Sequence, residues 1–430
     1  MASKVATHGF ADFLHEQNLA HLLPFLKFQR HRKKSGDMPD AQSLARLLAE
    51  LGPGFAEMAR IMASRSDVMP AQYQKELLRL KREPKLLTNN MVSALLRQEF
   101  GNKISGIISS INWEPYSINL LGATYEAILH DGQRALITIN YPGEMEIFKG
   151  NMEVIAWLLD WFVEKEKIKD RALWEGMNQE LSDRAYFLRD LTKVAGRMEV
   201  MRAKFEGNSK IIIPEVFWKH TTPNMLVHRY RNLPTLTDIK EGRIKGIAGK
   251  YVARYVIDAM VYQYGAIGAF ILRPEARRFQ VGSKNSIAYN SFLATGYLEP
   301  EDRKKFIALL YALCGEKREL GAKVLLSAHY AKAGAEAPKA GGLVLGAHKT
   351  ASLSAGLWDI LERSWKGGIN ISLGINMASE SILYLEHMIR EFDGEVDVAD
   401  SIKGAIKKYA PEIFGVKKNA AIETVVKSVL

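Results

Sequence analysis

The stretch GATYEAILHDGQRALITINYPG, residues 122–143, decides the fold. Two β-type runs, Ala123 to Leu129 and Ala135 to Tyr141, flank the dipeptide Asp131-Gly132. Asp-Gly between two such runs is typical of a tight hairpin turn, because glycine adopts positive φ without a steric penalty. The stretch therefore predicts an antiparallel β-hairpin.

Helical patterns surround the hairpin, and short strand-like runs interrupt them. The predicted helices include 55–65, 71–81, 150–204 and 237–265. The predicted strand-like runs are 211–214 and 225–230, and residues 278–294 are predicted to be irregular or strand-like. A small β-containing unit followed by a mostly helical unit predicts an α+β fold. This is also the order of elements in a protein-kinase-like fold, although many other α+β proteins share it.

Composition excludes several classes of protein. The chain has 430 residues, of which 47% are hydrophobic and 25% charged, which excludes disorder and collagen-like repeats. The single cysteine, Cys314, excludes an intrachain disulfide. The net charge of +11 permits contact with anionic lipid or nucleic acid. Basic runs lack a nucleic-acid-binding motif, so we expect no nucleic acid partner.

The sequence also limits membrane association and metal binding. No stretch approaches the roughly 20 uninterrupted apolar residues of a spanning helix, and the first residues lack the pattern of a secretory signal. We therefore expect a cytoplasmic protein that can lie at a membrane surface. Residues 10–34 begin apolar and end basic, which fits either an interfacial helix or a helical cap on the main body. Histidines are scattered singly, so no metal site is predicted.

Four blocks of sequence, in order, resemble the UbiB family of AarF-type atypical kinase-like proteins. They are Leu51-Gly52-Pro53-Gly54-Phe55 with Arg65, Asp67, Pro70 and Tyr73; Pro115, Gly122, Asp131-Gly132 and Tyr141-Pro142-Gly143; Pro214-Glu215-Val216 with Thr221-Thr222; and Gly296, Leu298 and Pro300-Glu301-Asp302-Arg303. The resemblance implies a protein-kinase-like bilobal fold. It further implies an N-terminal helical extension (1–104), a kinase-like N-lobe (105–230) and a helical C-lobe (231–430). Within the C-lobe, the composition of residues 331–342, rich in alanine, glycine, lysine and proline, predicts a flexible loop.

The family positions that serve phosphoryl transfer carry other residues here. The resemblance places the nucleotide-binding lysine at Thr138, which is uncharged. The four small residues of the nucleotide loop fall on 117–120, where Ile118 and Leu120 are bulky. The Lys-x-Gly-Gln motif falls on 57–60, so Glu57 replaces the lysine and Arg60 the glutamine. A carboxylate facing triphosphate would repel it, whereas Glu57 and Arg60 can pair on a helix.

The remaining motif positions concern the metal and the catalytic base. The resemblance aligns Glu180 with a surviving glutamate of an acidic motif, with Tyr186 or Val194 at the position of the lysine's partner. Phe270 stands for the catalytic aspartate and Glu275 for the metal-holding asparagine. Ser291 stands for the aspartate of Asp-Phe-Gly. Phosphoryl transfer needs a cation on the phosphates and ligands for Mg²⁺, so ATP and Mg²⁺ binding are predicted to be lost.

Two hypotheses follow. The first is a catalytically inactive, UbiB-like pseudokinase that acts as a lipid- or partner-binding scaffold in isoprenoid-quinone or membrane-lipid metabolism. Its partner would be an isoprenoid lipid, an anionic membrane surface or an active relative. The alternative is a divergent ATPase or kinase-like enzyme with a remodelled site, in which Glu57, Glu180 and Glu275 would be the carboxylates to test.

Overall fold

The computed structural model describes part of the chain, in two compact units. The described residues are 41–63, 73, 76–77, 87–164, 171–243, 249–315, 320–321, 323–324, 352–366, 371–417 and 424–425. The predictions for residues 10–34 and 331–342 lie outside them, as do Arg65, Asp67 and Pro70 of the resemblance. The three-part division of the chain stays a prediction.

Helices and strands follow one another along the described chain. The helices are α1 (Ala41–Leu51), α2 (Pro53–Ala63), α3 (Asn89–Phe100), α4 (Glu144–Glu164), α5 (Arg171–Arg189), α6 (Leu191–Lys204), α7 (Leu236–Lys240), α8 (Gly249–Tyr262), α9 (Pro300–Cys314), α10 (Leu353–Lys366), α11 (Leu373–Phe392) and α12 (Val398–Phe414). The strands are β1 (Ile108–Ile111), β2 (Ser117–Ile118), β3 (Gly122–Leu129), β4 (Arg134–Asn140), β5 (Ile211–Ile212), β6 (Met225–Arg229), β7 (Ala269–Ile271), β8 (Phe279–Val281), β9 (Ile287–Tyr289) and β10 (Thr295–Tyr297).

The first unit comprises the described residues within Met1–Leu87, Leu120–Gly122 and Tyr141–Tyr186. Helix α2 packs against α1 and α4. Ala56 and Ala59 are fully buried on α2, and partly buried apolar residues of α1 pack against this cluster. Small residues at helical spacing allow helices to approach closely. Helix α2 therefore packs closely against its neighbours in this unit.

The second unit comprises the described residues within Thr88–Asn119, Ala123–Asn140 and Phe187–Leu430. Its largest sheet has the strand order β1-β3-β4-β6, with β2 beside β3. Strand β4 pairs antiparallel with β6, and Thr138 lies opposite Leu226. Leu136 and Ile137 are fully buried, so both faces of β4 are covered. The sequence of β4 is therefore an almost continuous apolar run.

Small strand pairs and a helical core complete the second unit. Strand β7 pairs with β10, and β9 lies between β5 and β8. Helices α8 and α9 pack against α12. Gly265 follows α8 in a π-helical turn, where a Cβ would lie 2.4 Å from Ile413 Cδ1. Only glycine allows the turn and α12 to approach so closely.

The structure confirms the α+β, kinase-like fold with a mostly helical chain. The predicted hairpin is β3–β4: Leu129 N–H donates to the Gln133 carbonyl at 2.8 Å, and Gly132 has φ +79°. Strands β5, β6, β8 and β9 match the predicted strand-like runs. The pair β7–β10 was not predicted.

The described residues provide neither a spanning helix nor a metal cluster. Among them, no helix is both long enough and apolar enough to cross a bilayer. A search of the same residues finds no group of three or more histidine, cysteine or acidic side chains placed to hold a metal ion. The positions aligned with metal ligands are therefore described one by one below.

Candidate functional site

Thr138 occupies the middle of β4 with its side chain in the core. The residue is 2% exposed, and its hydroxyl shares a hydrogen bond with the Thr124 hydroxyl on β3 at 2.8 Å. The two buried hydroxyls are therefore hydrogen-bonded to each other inside the sheet. A lysine in this position would bring a charge into a space that fits two threonines.

Tyr116, directly before the four-residue loop at 117–120, ties that loop to the segment before Ser291. Asn290 Nδ2 donates to the Tyr116 hydroxyl at 2.6 Å, and the Tyr116 and Tyr230 rings meet edge to face with centroids 5.3 Å apart. Burial, with the charge and hydrogen bond of Tyr230, raises the pKa of the Tyr116 phenol well above its ordinary value. The phenol is therefore protonated at neutral pH and can donate as well as accept a hydrogen bond.

The same asparagine extends the network to Glu275. Asn290 Nδ2 also donates to the Arg277 carbonyl at 2.9 Å, and Arg277 Nε lies 2.5 Å from Glu275 Oε2. Burial alone would raise the pKa of the Glu275 carboxyl. The charges of Arg278 and Arg277 and, less strongly, of Arg273 outweigh burial, so this pKa lies below its ordinary value. The carboxylate at the position of the metal-holding asparagine is thus already neutralised by arginines.

Phe270 is part of the core. It lies at the centre of β7 with no exposed surface, and its ring meets that of Tyr264 edge to face with centroids 5.1 Å apart. The ring covers Gly296 on β10, where a Cβ would lie 2.3 Å from Phe270 Cζ. The residue at the position of the catalytic aspartate therefore holds two strands together and presents no polar atom to a substrate.

Ser291 lies between Asn290 and Phe292 and is half-buried. Phe292 is 1% exposed and its ring is tilted against that of Tyr289 at 6.0 Å. The phenylalanine of the three-residue motif thus keeps a packing role, whereas the serine supplies one neutral hydroxyl where two carboxylate oxygens would hold Mg²⁺. Magnesium prefers carboxylates combined with phosphate oxygens, and a lone hydroxyl is a weak substitute.

The remaining predicted site residues belong to the first unit. Glu57 and Arg60 form an ion pair within α2, with exposed fractions of 14% and 18% for their side chains. This pairing is the one predicted from their spacing. Glu180 lies in α5, and its side chain is outside the described part of the structure. The resemblance implies that these residues line the cleft of the kinase-like fold, and this stays a prediction.

Asn151 on α4 explains the Leu51-Gly52-Pro53-Gly54 signature and was missed by sequence reasoning. Its Oδ1 accepts from Gly54 N–H at 3.0 Å and its Nδ2 donates to the Leu51 carbonyl at 3.4 Å. A Cβ on Gly54 would lie 2.7 Å from Asn151 Cβ, and Gly52 has φ +128°. The two glycines let the chain wrap around one amide. Their partner stands 97 residues from Gly54, so no local pattern reveals it.

Sequence analysis also missed the roles of Tyr116, Asn290 and Glu380 in the second unit. Tyr116 and Asn290 meet across 174 positions of sequence. Arg273 and Glu380 form a buried ion pair, with Nε and Oε1 3.0 Å apart and 8% and 3% of the side chains exposed. Arg273 falls within the segment aligned with the catalytic motif, so its charge was visible. Its carboxylate partner on α11 was not.

Taken together, these observations describe a kinase-like fold in which Thr138, Phe270 and Glu275, the residues that the resemblance aligns with functional positions, pack or form ion pairs and hydrogen bonds. The model of the ABC1 atypical kinase-like domain matches residues 79–324, more than half of the chain. The chain belongs to the ABC1 atypical kinase-like family.

Curated relatives resemble part of the chain at low identity. A Synechocystis protein, uncharacterized protein sll1770, is 21% identical over 294 residues, which cover 68% of this chain and 49% of that protein. The chloroplastic protein ACTIVITY OF BC1 COMPLEX KINASE 7 of Arabidopsis thaliana is 22% identical over 286 residues, covering 66% of this chain and 41% of the relative. The probable protein kinase UbiB of Pseudomonas fluorescens is 26% identical over 212 residues, covering 49% and 39%. The chain thus spans about half or less of the length of these relatives.

One solved structure shares the fold over most of its length. It is the Mycobacterium tuberculosis protein Rv3197 in complex with erythromycin. The TM-score is 0.51 with 15% sequence identity, and the match covers 87% of this chain and 96% of that one. At this identity the likeness supports the fold alone.

Proposed function

We propose that this chain is a catalytically inactive member of the ABC1 atypical kinase-like family that acts by binding. The observation that carries the proposal is the network from Tyr116 through Asn290 and Arg277 to Glu275. It engages, in internal hydrogen bonds and an ion pair, the residue next to the aligned nucleotide loop and the carboxylate aligned with a metal ligand. A nucleotide would have to break these contacts and would find a neutral Thr138 in place of a cation.

Loss of several groups at once strengthens the proposal. Oxyanion donors and bound metal ions each supply several kcal/mol of transition-state stabilisation. Thr138 supplies no charge, Phe270 no base, and Ser291 no carboxylate. One missing group can be replaced by a neighbour, but the simultaneous loss of cation, base and ligand leaves no route to phosphoryl transfer at a useful rate.

The proposed partner is a lipid, and the proposed role is that of a scaffold in isoprenoid-quinone or membrane-lipid metabolism. The net charge of +11 favours an anionic membrane surface. An isoprenoid lipid or an active relative of the same family would be bound by apolar surface. Trp113 and Ile118, which are 36% and 40% exposed, offer such surface beside the main sheet.

Thermal unfolding with nucleotide tests the inactivity directly. A ligand at about 100 times its Kd stabilises the native state by about 2.7 kcal/mol. We expect the melting temperature with ATP and magnesium to equal that with ATP and a chelator. A rise that requires magnesium would contradict the proposal and favour the divergent ATPase.

Liposome co-sedimentation tests the binding role. We expect the protein to bind vesicles that contain anionic lipid more strongly than neutral vesicles, and to release them as salt rises, since salt screens exposed charges. Adding isoprenoid quinone to neutral vesicles tests apolar recognition separately. Failure to bind any of these vesicles would remove the lipid partner from the proposal and leave a protein partner.

A further inference from the structure

Arg197 on α6 carries a charge in a mostly enclosed position. Its Nη1 donates to the Thr295 carbonyl at 3.2 Å and to the Thr295 hydroxyl at 2.9 Å. The guanidinium carbon lies 3.6 Å from the centroid of the Phe187 ring, so the planar group stacks on an aromatic face. These contacts fix the plane of the guanidinium and leave its Nε and Nη2 without a protein acceptor among the described residues.

No carboxylate neutralises this charge in the part of the chain that the structure describes. The other arginine on α6, Arg202, shows the usual arrangement: it is half-exposed and pairs with Glu199 at 3.1 Å. Burial lowers the pKa of Arg197 to about 10, and only the Tyr297 hydroxyl offsets it in part. The group is therefore charged at neutral pH, in surroundings that disfavour an uncompensated charge.

A second arginine lies beside Tyr297. The guanidinium carbons of Arg197 and Arg303 lie 5.9 and 5.5 Å from the centroid of the Tyr297 ring. Arg303 donates to the Tyr297 hydroxyl at 3.0 Å and to the Leu298 carbonyl at 3.0 Å. Gly268, with φ +86°, makes room for it: a Cβ there would lie 2.2 Å from Arg303 Nε. Among the described residues, no ion pair neutralises Arg303.

We propose that Arg197, Tyr297 and Arg303 form a binding site for a phosphoryl group that needs no metal ion. The proposal goes beyond the inactivity proposed above, since it assigns a ligand chemistry to residues other than those aligned with the catalytic motifs. Two guanidinium groups within 6 Å of one phenol ring bring several charged donors close together, which suits a phosphoryl dianion. Tyr297 is 38% exposed, so the site is open to solvent on one side.

The alternative is a purely structural role, in which Arg197 only connects α6 to β10 through its hydrogen bonds. In that role a neutral side chain that keeps a hydrogen bond to Thr295 would serve equally well, because it would avoid the buried charge. Arg197→Gln separates the two roles: it keeps a donor but removes the charge and the fork. Arg202→Gln is the matched control, because it makes the same change on the same helix at an exposed, paired arginine.

The first experiment is isothermal titration calorimetry. The protein is titrated with inorganic phosphate and with pyrophosphate in the presence of a chelator. We expect wild type and Arg202→Gln to bind alike and Arg197→Gln to bind at least about tenfold more weakly, as expected for the loss of a charged hydrogen bond. Arg197→Lys keeps the charge without the planar fork and should lie between them. It provides the comparison if Arg197→Gln does not fold.

Vesicles distinguish a lipid head group from a soluble ligand. The probes are phosphatidylcholine vesicles with and without phosphatidic acid, whose phosphomonoester is exposed. Preference for phosphatidic acid that disappears in Arg197→Gln assigns the site to a lipid, whereas tight binding of free phosphate or pyrophosphate assigns it to a soluble ligand. Binding to neither, or equal binding by Arg197→Gln and wild type, overturns the proposal. Neither result affects the magnesium-dependence test of inactivity.

Discussion

The β3–β4 hairpin and the β7–β10 pair retain different things from their family. The hairpin keeps Asp131-Gly132, where the backbone itself requires glycine at φ +79°. In the pair, Phe270 stands where the resemblance places an aspartate, and it fills the space above Gly296. Backbone geometry restricts a position to one or two residue types. A catalytic side chain, once its chemistry is no longer needed, can be replaced by whatever packs.

An acidic side chain at position 270 tests this comparison, because it should be tolerated only if this position of β7 still serves a function. Phe270→Asp places a carboxylate in a position with no exposed surface. We expect a loss of about 4 kcal/mol or more in the free energy of unfolding, from lost packing and a buried unpaired charge. Urea denaturation measures it, and Phe270→Leu, at about 1 kcal/mol, controls for packing. A stable Phe270→Asp protein with ATPase activity would contradict the comparison.

Acid should loosen the sheet that contains the hairpin. His228 on β6 is fully enclosed, and burial lowers the pKa of its imidazole from 6.5 to about 4. The unfolded chain takes up this proton first, so stability is complete above pH 6.5 and falls as the pH drops toward 4. The loss is roughly 3 kcal/mol, from 1.36 kcal/mol per unit of pKa.

Comparison of wild type with His228→Gln isolates this titration. The difference between their free energies of unfolding, measured by denaturant at several pH values, should change between pH 6.5 and 4 and stay constant above. A difference that does not vary with pH would show that the imidazole can be protonated in place, and that the sheet is more open than its burial indicates.

Gly52 and Gly54 of the first unit are also positions where the structure restricts the residue type, and they lie outside the sheet. Gly54→Ala brings a methyl group to within 2.7 Å of Asn151 Cβ, so we expect a loss of about 1–3 kcal/mol from overpacking. Asn151→Gly also costs about 2–3 kcal/mol, since Gly54 N–H loses its acceptor and glycine weakens a helix interior. Thermal denaturation of the Gly54→Ala/Asn151→Gly double variant should show non-additivity, because glycine at 151 removes the Cβ that the new methyl group would meet. Strict additivity would mean that the two residues do not restrict each other.

The smallest expected effect concerns the contact at the nucleotide loop. Tyr116→Phe removes the acceptor of one Asn290 hydrogen bond and should cost about 1 kcal/mol. Opening this contact restores neither a cation at Thr138 nor a metal ligand at Ser291. We therefore expect no magnesium-dependent nucleotide binding in the variant, measured by thermal shift. Its appearance would show that Tyr116 alone blocks a functional site.

Much of the fold was predictable because its signals are local. The Asp-Gly turn, the apolar runs of β4 and β6 and the helical periodicity of α2 each lie within a few residues of sequence. The Glu57–Arg60 pair was predictable for the same reason, since the two residues stand three apart on one helix.

The site was less predictable because its contacts are distant in sequence. The hydrogen bond of Tyr116 with Asn290 and the ion pair of Arg273 with Glu380 join residues 174 and 107 positions apart. Arg197 belongs to no recognised sequence motif. Only the structure shows that it is largely enclosed and pairs with no carboxylate among the described residues. Sequence shows which chemistry is absent from the motif positions, whereas three-dimensional packing shows what the replacements do.

A crystal of the full-length protein grown with an ATP analogue and Mn²⁺ tests the central claim most directly, because manganese can be located by its anomalous scattering. We predict no manganese peak near Ser291 or Glu275 and an intact hydrogen bond between Asn290 and Tyr116. A peak that joins either residue to nucleotide phosphates would contradict the claim that this member of the family has lost its catalytic site.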